Sequence, residues 1–231
     1  ILAFFLAAIP SSQLAVLVTN YLITRLLPPR TLPKYDFEKG IPDAFRTLVV
    51  VPTLLLDEES VKEEIQKLEI RYLANPEQNL LFGLFTDYTD APKLHMEADQ
   101  GLLNTAKKGI EELNRRYATN RFFLFHRERV WTESEDCYLG WERKRGKLEV
   151  LNRLICEGGE ENEEEGKDKL SKIVHVGDPS LLRDVRFIIT LDSDTQLPKD
   201  TARRMVEALA HPLNQPRFNK EGNRIEGGYA I

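Results

Sequence analysis

The stretch TLVVVPTLLLDEESVKEEIQKLEIRYLAN, residues 47–75, contains two hydrophobic patterns of different period. Residues 47–56 are almost all apolar and rich in β-branched side chains, which is typical of a strand covered on both faces. In the remainder, Val61, Ile65 and Leu68 follow one another at four- and three-residue steps, which predicts an amphipathic helix. The stretch therefore predicts a buried strand followed by a helix.

The same alternation continues along the chain. Further strands are predicted in NLLFGLFTD, RFFLFHR and RFIITLD, and further helices in LLNTAKKGIEELNRRY, KLEVLNRLI and residues 201–210. Strands that alternate with helices of this length favour parallel strands joined by right-handed crossovers. The predicted fold is therefore α/β, with a Rossmann-type, mostly parallel sheet flanked by helices. Ligands bind such sheets beyond the carboxyl ends of the strands, so polar residues there are site candidates.

Composition narrows the function classes. The chain has 231 residues, of which 42% are hydrophobic and 30% charged, which is typical of a globular protein. Its net charge of −5 argues against a nucleic-acid partner, since protein surfaces that bind nucleic acids are normally basic. Cys137 and Cys156 have no metal-site spacing and are predicted to be reduced thiols. The sequence also contains no Walker A loop, nucleophile elbow, G-x-G-x-x-G or H-E-x-x-H motif.

The first part of the chain differs from the rest, because Arg25 is the only charged residue in its first 27. An apolar run is interrupted at Pro10, which predicts the end of a transmembrane helix followed by a helix at the membrane interface. Residues 1–33 are predicted to comprise these helices and a proline-rich linker, and residues 34–231 the folded domain. A core helix of a soluble domain is the alternative. Nearby cations favour the cytoplasmic side.

Both ends of the chain interrupt a sequence pattern. The chain starts on an apolar run without Met and stops at RIEGGYAI, which is typical of a strand that is just beginning. We expect the chain to be truncated at its C-terminus and to be part of a longer protein. The acidic stretch EGGEENEEEGKDK, residues 157–169, is expected to be a solvated, mobile loop.

The strand RFIITLD leads into the pair Asp192 and Asp194, separated by one serine. Where a strand ends and the chain turns, both carboxylates can approach one point. Mg²⁺ and Mn²⁺ prefer oxygen ligands and often take one or two carboxylates together with water and phosphate oxygens. The pair therefore predicts a diphosphate–metal site. The alternative is that these aspartates and Thr195 only build a turn.

The second candidate is the basic segment WERKRGK, residues 141–147, which opens a predicted helix. Cations at a helix N-terminus oppose the helix dipole unless an anion lies between them and the exposed N–H groups. The segment predicts phosphate binding, and a solvated basic turn is the alternative. At another strand end, Asp87 could accept hydrogen bonds from a base or ribose, or cap a turn with Asp90. His126 and His175 have no metal-ligand partners in the sequence.

In their order along the chain, the pieces VVVPT, FTD, the basic GK segment and DSD resemble the inverting GT-A glycosyltransferases, which use nucleotide sugars. A closer resemblance is to the glucosyltransferase region of the cyclic β-1,2-glucan synthases. It rests on LVVVPTLL, LEIRYLANP, GWERKRGKLEVLNRLI and ITLDSDTQLPKDTARRMVEALAHPLNQPRF. This resemblance covers nearly all of residues 34–231.

The resemblance implies a large bacterial inner-membrane enzyme, with its catalytic domain on the cytoplasmic side, that polymerises glucose from UDP-glucose. The implied partners are the lipid bilayer, a β-1,2-glucan acceptor and the remaining domains of the same chain. The implied cofactor is Mg²⁺ or Mn²⁺, held by Asp192 and Asp194, with Asp194 the stronger candidate. The remaining nucleotide-sugar-binding residues would be Pro52 and Thr53 on the first strand, Asp87 at the uridine, Arg143 and Lys147 at the diphosphate, and Asp192 at the ribose.

The same resemblance places the general base, and an arginine–tryptophan segment that binds the acceptor, beyond Ile231. The fragment alone is therefore expected to be inactive. Two other functions stay open. A sugar-nucleotide nucleotidyltransferase would share the sheet and a metal aspartate, but usually has a glycine-rich signature after its first strand, where this chain has Pro52-Thr53-Leu54. A non-catalytic nucleotide-binding or assembly module at the membrane is the other.

Overall fold

The structure is a computed structural model that describes residues 2–27, 31–157, 173–219 and 221–228. It divides into two compact units, Ile1–Pro33 and Lys34–Ile231. Nearly all of the predicted acidic loop, and part of the predicted linker, lie outside the described residues. The helices are α1 (Leu2–Leu26), α2 (Glu58–Ala74), α3 (Asp99–Arg116), α4 (Arg143–Glu157) and α5 (Thr201–Ala210). The strands are β1 (Thr47–Leu55), β2 (Leu80–Tyr88), β3 (Phe122–Arg127), β4 (Val130–Thr132), β5 (Cys137–Leu139), β6 (Val174–Val176), β7 (Phe187–Thr190), β8 (Arg217–Phe218) and β9 (Ile225–Gly227).

In the described part of the N-terminal unit, a single helix stands where the sequence predicted two. Helix α1 runs for 25 residues and contains Pro10 in its interior. A proline removes one helical hydrogen bond, but the leucines and alanines around it favour the helix strongly enough to continue it. Within the described residues, none of the helices combines the length and the apolar character needed to cross a bilayer.

The second unit is built on a five-stranded sheet with the order β6-β3-β2-β1-β7. Strands β3, β2, β1 and β7 are parallel, and β6 is antiparallel to β3 at one edge. All nine residues of β2 are buried, as its central position in the sheet requires. The prediction of a mixed α/β fold with a mostly parallel sheet flanked by helices is confirmed.

Helices cover both faces of this sheet, because neighbouring residues of a strand point to opposite faces. On one face, Phe82 and Leu124 pack with side chains of α2, α3 and α5. On the other face, Phe85 and Phe125 pack with Leu151 of α4. We call these the α3 face and the α4 face. The two faces therefore separate residues that are adjacent in sequence, such as Thr86 and Asp87.

The strand order places β1 at the point where the connections change direction. Strand β2 pairs with one side of β1 and β7 with the other, so the carboxyl ends of these three parallel strands lie next to one another. A crevice at such a position is where open α/β sheets bind ligands. Thr53, Asp87 and the turn after β7 all lie at this edge of the sheet.

Candidate functional site

The centre of the site is a buried cluster of three charged side chains at the ends of β2, β3 and α4, which we call the Asp87 cluster: Asp87, Arg127 and Lys147. The Asp87 carboxylate is 1% exposed and accepts hydrogen bonds from Arg127 Nε at 3.0 Å and Nη2 at 2.8 Å. Lys147 Nζ lies 3.3 Å from Asp87 Oδ2. Asp87 and Arg127 lie opposite each other in the paired strands, and both project to the α4 face. The sheet register therefore brings the carboxylate and the guanidinium together.

Lys147 also ties α4 to β1. Its ammonium donates a hydrogen bond to the carbonyl oxygen of Thr53 and lies 3.5 Å from that of Phe85. The side chain is 4% exposed, and burial lowers the pKa of Lys147, while the Asp87 charge opposes that shift. One ammonium group thus fixes the first turns of α4 against the carboxyl ends of two strands.

Two glycines make room for the Asp87 cluster. A Cβ atom at Gly140 would overlap with Asp87 Oδ2, and a Cβ atom at Gly146 would overlap with the Trp141 carbonyl oxygen. The basic segment therefore needs Gly146 for close approach of its own backbone. Sequence reasoning gave Gly140 no role, and its position just before the basic segment was the available signal.

The remaining cations at the start of α4 pair with other aspartates. Arg143 Nη2 lies 2.8 Å from Asp90 Oδ2, and Lys144 Nζ contacts Asp192 Oδ1. Both pairs are exposed to solvent, unlike the Asp87 cluster. In this structure aspartates of the protein therefore offset the cations at the N-terminus of α4, and phosphate binding by the basic segment stays a prediction.

The turn after β7 carries Asp192 and Asp194, and both side chains are exposed. The Thr195 N–H donates to the Asp192 carbonyl oxygen at 2.9 Å, so these residues do build the turn that the alternative interpretation predicted. The turn leaves the carboxylate oxygens accessible. Two such carboxylates suit Mg²⁺ or Mn²⁺, which complete their shell with water and phosphate oxygens. Among the described residues there is no group of three or more His, Cys, Asp or Glu that could form a full protein cage for a metal.

Arg71, on α2, holds the Asp192–Thr195 turn through hydrogen bonds to its backbone carbonyl oxygens. Its guanidinium, 4% exposed, donates to the Ser193 carbonyl at 2.9 Å and to the Thr195 carbonyl at 2.8 Å. Burial lowers the pKa of Arg71. Sequence reasoning missed this residue, although an arginine one step from the apolar stripe of an amphipathic helix was a signal.

The structure thus brings Thr53, Asp87 and Lys147 into direct contact, and Lys144 joins Asp192 to the same helix terminus. Arg143 lies farther out, at Asp90. Pro52 sits within β1, opposite Phe85 of β2. The ligands assigned to all these residues stay predictions.

Comparison with known proteins adds a relative. The chain is 37% identical over 229 residues, 98% of its length, to "Cyclic beta-(1,2)-glucan synthase NdvB" of Rhizobium meliloti (strain 1021). It spans 8% of the length of that relative. No model of a protein family matches the chain. The resemblance seen in the sequence motifs is confirmed: this chain is related, along nearly its whole length, to one segment of a cyclic β-1,2-glucan synthase.

Proposed function

We propose that this chain is the donor-binding half of a membrane-bound inverting glucosyltransferase that transfers glucose from UDP-glucose to a growing β-1,2-glucan. One observation carries the proposal. The basic start of α4 meets the carboxylates of Asp87 and Asp192 at the carboxyl edge of a parallel sheet. Similarity to a glucan synthase segment supports the choice of a sugar nucleotide.

The exposed pairs at this edge can exchange partners when a nucleotide diphosphate binds. Lys144 holds Asp192 through a solvated contact, which contributes little to stability and breaks readily. When Lys144 releases Asp192, its ammonium becomes available to the diphosphate oxygens, and the Arg143 guanidinium becomes available when it releases Asp90. A Mg²⁺ or Mn²⁺ ion held by Asp192 and Asp194 would neutralise charge on the departing UDP. The cations of α4 would add to this stabilisation.

The Asp87 cluster has a different role, because its members are buried. Lys147 and Arg127 hold the start of α4 against β1 and β2, so the cations on that turn keep a fixed position relative to the strand ends. Because Asp87 is 1% exposed, uridine can contact it as predicted only after the side chains that cover it move. The Thr53 carbonyl oxygen is committed to Lys147.

The remaining parts of the proposal follow the family resemblance. They are a GT-A-like arrangement of the sheet, a general base outside this chain, and location at the inner membrane with this domain on its cytoplasmic side.

The direct connection from β1 into α2, across Leu56 and Asp57, contains no glycine-rich loop, which disfavours a nucleotidyltransferase.

Calorimetric titration of UDP into the chain, with and without Mn²⁺, tests the proposal. The comparison needs Asp194→Asn and the matched control Asp184→Asn, which changes an exposed aspartate outside the proposed site. We expect Mn²⁺-dependent UDP binding by the wild type and the control, and loss of that binding in Asp194→Asn. Equal binding by all three folded proteins would show that the aspartate pair is only a turn.

A further inference from the structure

A buried asparagine at the C-terminal end of α2, Asn75, contacts the segment that follows β7. The residue is 0% exposed. Its side-chain Nδ2 donates to the carbonyl oxygens of Leu197 at 3.2 Å, Pro198 at 3.3 Å and Arg71 at 3.1 Å. Its side-chain Oδ1 accepts from the Ala202 N–H at 3.1 Å. Both polar atoms of the amide group are therefore used.

The partners of Asn75 fix the orientation of its amide group. The three carbonyl oxygens can only accept, so the NH₂ group faces them, and the Ala202 N–H can only donate, so it faces the side-chain oxygen. Two N–H bonds serve three acceptors, which requires one shared hydrogen bond. An aspartate of the same shape would place a negative charge against the carbonyl oxygens. This position therefore needs an amide.

Asn75 also caps the N-terminus of α5. The residue before this helix, Asp200, has a φ of 59° and makes no capping hydrogen bond with its own side chain. Ala202 is the second residue of α5, where the backbone N–H has no partner within the helix and is normally bonded by the cap residue. The Asp200 N–H donates in turn to the Ala74 carbonyl oxygen at 3.2 Å. The end of α2 is therefore joined to the start of α5 through a side chain and through the backbone.

The segment between β7 and α5, which carries the aspartate pair, is held by α2 at two places. Arg71 holds two carbonyl oxygens of the Asp192–Thr195 turn. Asn75, one helical turn later, holds residues 197–198. The Leu197 side chain, 5% exposed, packs into the core of the α3 face. The exposed carboxylates thus project from a backbone that is anchored within the turn and directly after it.

We propose that Asn75 is a positioning residue of the donor site. By fixing residues 197–202, it holds Asp192 and Asp194 in their binding arrangement before UDP or a metal ion arrives. This inference rests on the proposed function. An ion that takes only two carboxylates from the protein depends on their spacing, because water and phosphate oxygens supply the rest of its shell. Replacing a residue that orients metal ligands typically weakens metal binding by about 10–100-fold.

Calorimetric titration of UDP and Mn²⁺ into Asn75→Ala and Asn79→Ala tests the proposal. Asn79 is the matched control, because it is 5% exposed and its amide also holds a backbone carbonyl oxygen, that of Ile41, but at the amino end of β2. Both substitutions should lower the free energy of unfolding in urea. We expect Asn75→Ala to weaken Mn²⁺-dependent UDP binding by about tenfold and Asn79→Ala to leave the affinity of the folded chain unchanged.

Amide chemical shifts of the Asp192–Thr195 turn, recorded by NMR without UDP or metal, give a second readout. The hydrogen-bond partners of the Asn75 side chain lie outside this turn, so shift changes within it report a displacement of the turn. We expect such changes in Asn75→Ala and none in Asn79→Ala. If Asn75→Ala does not fold, Asn75→Ser replaces it with the same expected results, since a serine hydroxyl can still donate to the Arg71 carbonyl oxygen one turn earlier.

Two results would overturn the proposal. One is equal affinity of the folded wild type and the folded Asn75 variant, and the other is equal weakening by the Asn75 and Asn79 substitutions. Absence of Mn²⁺-dependent UDP binding by the folded wild type would instead overturn the proposed function. In that case the ligand-free spectra still decide the role of Asn75, because unchanged shifts at Asp192–Thr195 would show that Asn75 does not hold the aspartates.

Discussion

Neutralising Asp87 is predicted to destabilise the fold strongly. In Asp87→Asn the side chain keeps its size but loses its charge, which leaves Arg127 and Lys147 as buried cations without a counter-charge. Their side chains are 9% and 4% exposed. Removing one partner of a buried ion pair costs about 3–5 kcal/mol, because the remaining charge is left uncompensated.

Asp90→Asn is the matched control, since it removes the same charge three residues away. Its partner Arg143 lies at a similar distance, 2.8 Å, but the two side chains are 60% and 40% exposed. A solvated pair of this kind contributes about 0–1 kcal/mol. The assay is urea unfolding followed by the fluorescence of Trp131 and Trp141, which gives the free energy of unfolding of each variant.

A double variant separates charge from packing. Replacing Lys147 by Met in the Asp87→Asn background removes one of the uncompensated cations, so the loss in the double variant should be smaller than the sum of the two single losses. Equal losses in Asp87→Asn and Asp90→Asn would refute the conclusion that Asp87 is the buried counter-ion of the cluster. Simple additivity in the double variant would refute the coupling between Asp87 and Lys147.

Three further predictions concern other parts of the unit. Arg71→Lys keeps the charge but loses the forked donors that hold the Asp192–Thr195 turn. It should weaken Mn²⁺-dependent UDP binding severalfold by calorimetry while the circular dichroism spectrum stays unchanged. Unchanged affinity would contradict the conclusion that Arg71 positions this turn. Because the folded-state pKa of His126 is depressed from 6.5 to about 3, its contribution to stability is complete above pH 6.5 and is lost as the pH falls toward 3. Between pH 7 and 5 the wild type should lose about 2 kcal/mol more unfolding free energy in urea than His126→Phe, and parallel losses would contradict the burial of a neutral ring. Gly140→Ala should destabilise the chain by about 1–3 kcal/mol in thermal unfolding through overlap with the Asp87 carboxylate, whereas Gly101→Ala, with open space around its Cβ position, should be neutral or stabilising.

The strands and helices with strong periodicity were predictable from sequence. The run at 47–56 became β1, and the last predicted helix, residues 201–210, has the same bounds as α5. Helix α4 begins at Arg143, four residues before the predicted start at Lys147, after a turn in which Glu142 and Arg143 have positive φ angles of 49° and 45°. Hydrophobic periodicity carries no information about such a turn.

The shorter elements could not be predicted. Strands β4, β5 and β6 have three residues each, which is too short for an alternating pattern to be recognised. In α1 the proline was given more weight than the residues around it, and the helix continues through it.

The rule that ligands bind at strand ends selected residues that the structure places at one edge of the sheet, whereas the pairings of these residues depended on the fold. Thr53, Asp87 and Asp192 lie at one edge because parallel strands end together. That Asp87 faces Arg127 follows from the register between β2 and β3, which no local pattern reveals. Arg71 reaches the Asp192–Thr195 turn from a helix more than 100 residues earlier in the chain, so its role depends on tertiary packing alone.

The most direct test of the donor site is to locate bound Mn²⁺ by its paramagnetic broadening of backbone amide signals in the presence of UDP. We expect the broadening to be strongest at Asp192–Thr195 and at the ends of β1 and β2, and we expect Asp194→Asn to abolish it there. Two results would contradict the assignment of the aspartate pair as the metal–diphosphate site. One is broadening that is absent from this edge and strongest in the acidic stretch at residues 157–169. The other is broadening at this edge that persists unchanged in Asp194→Asn.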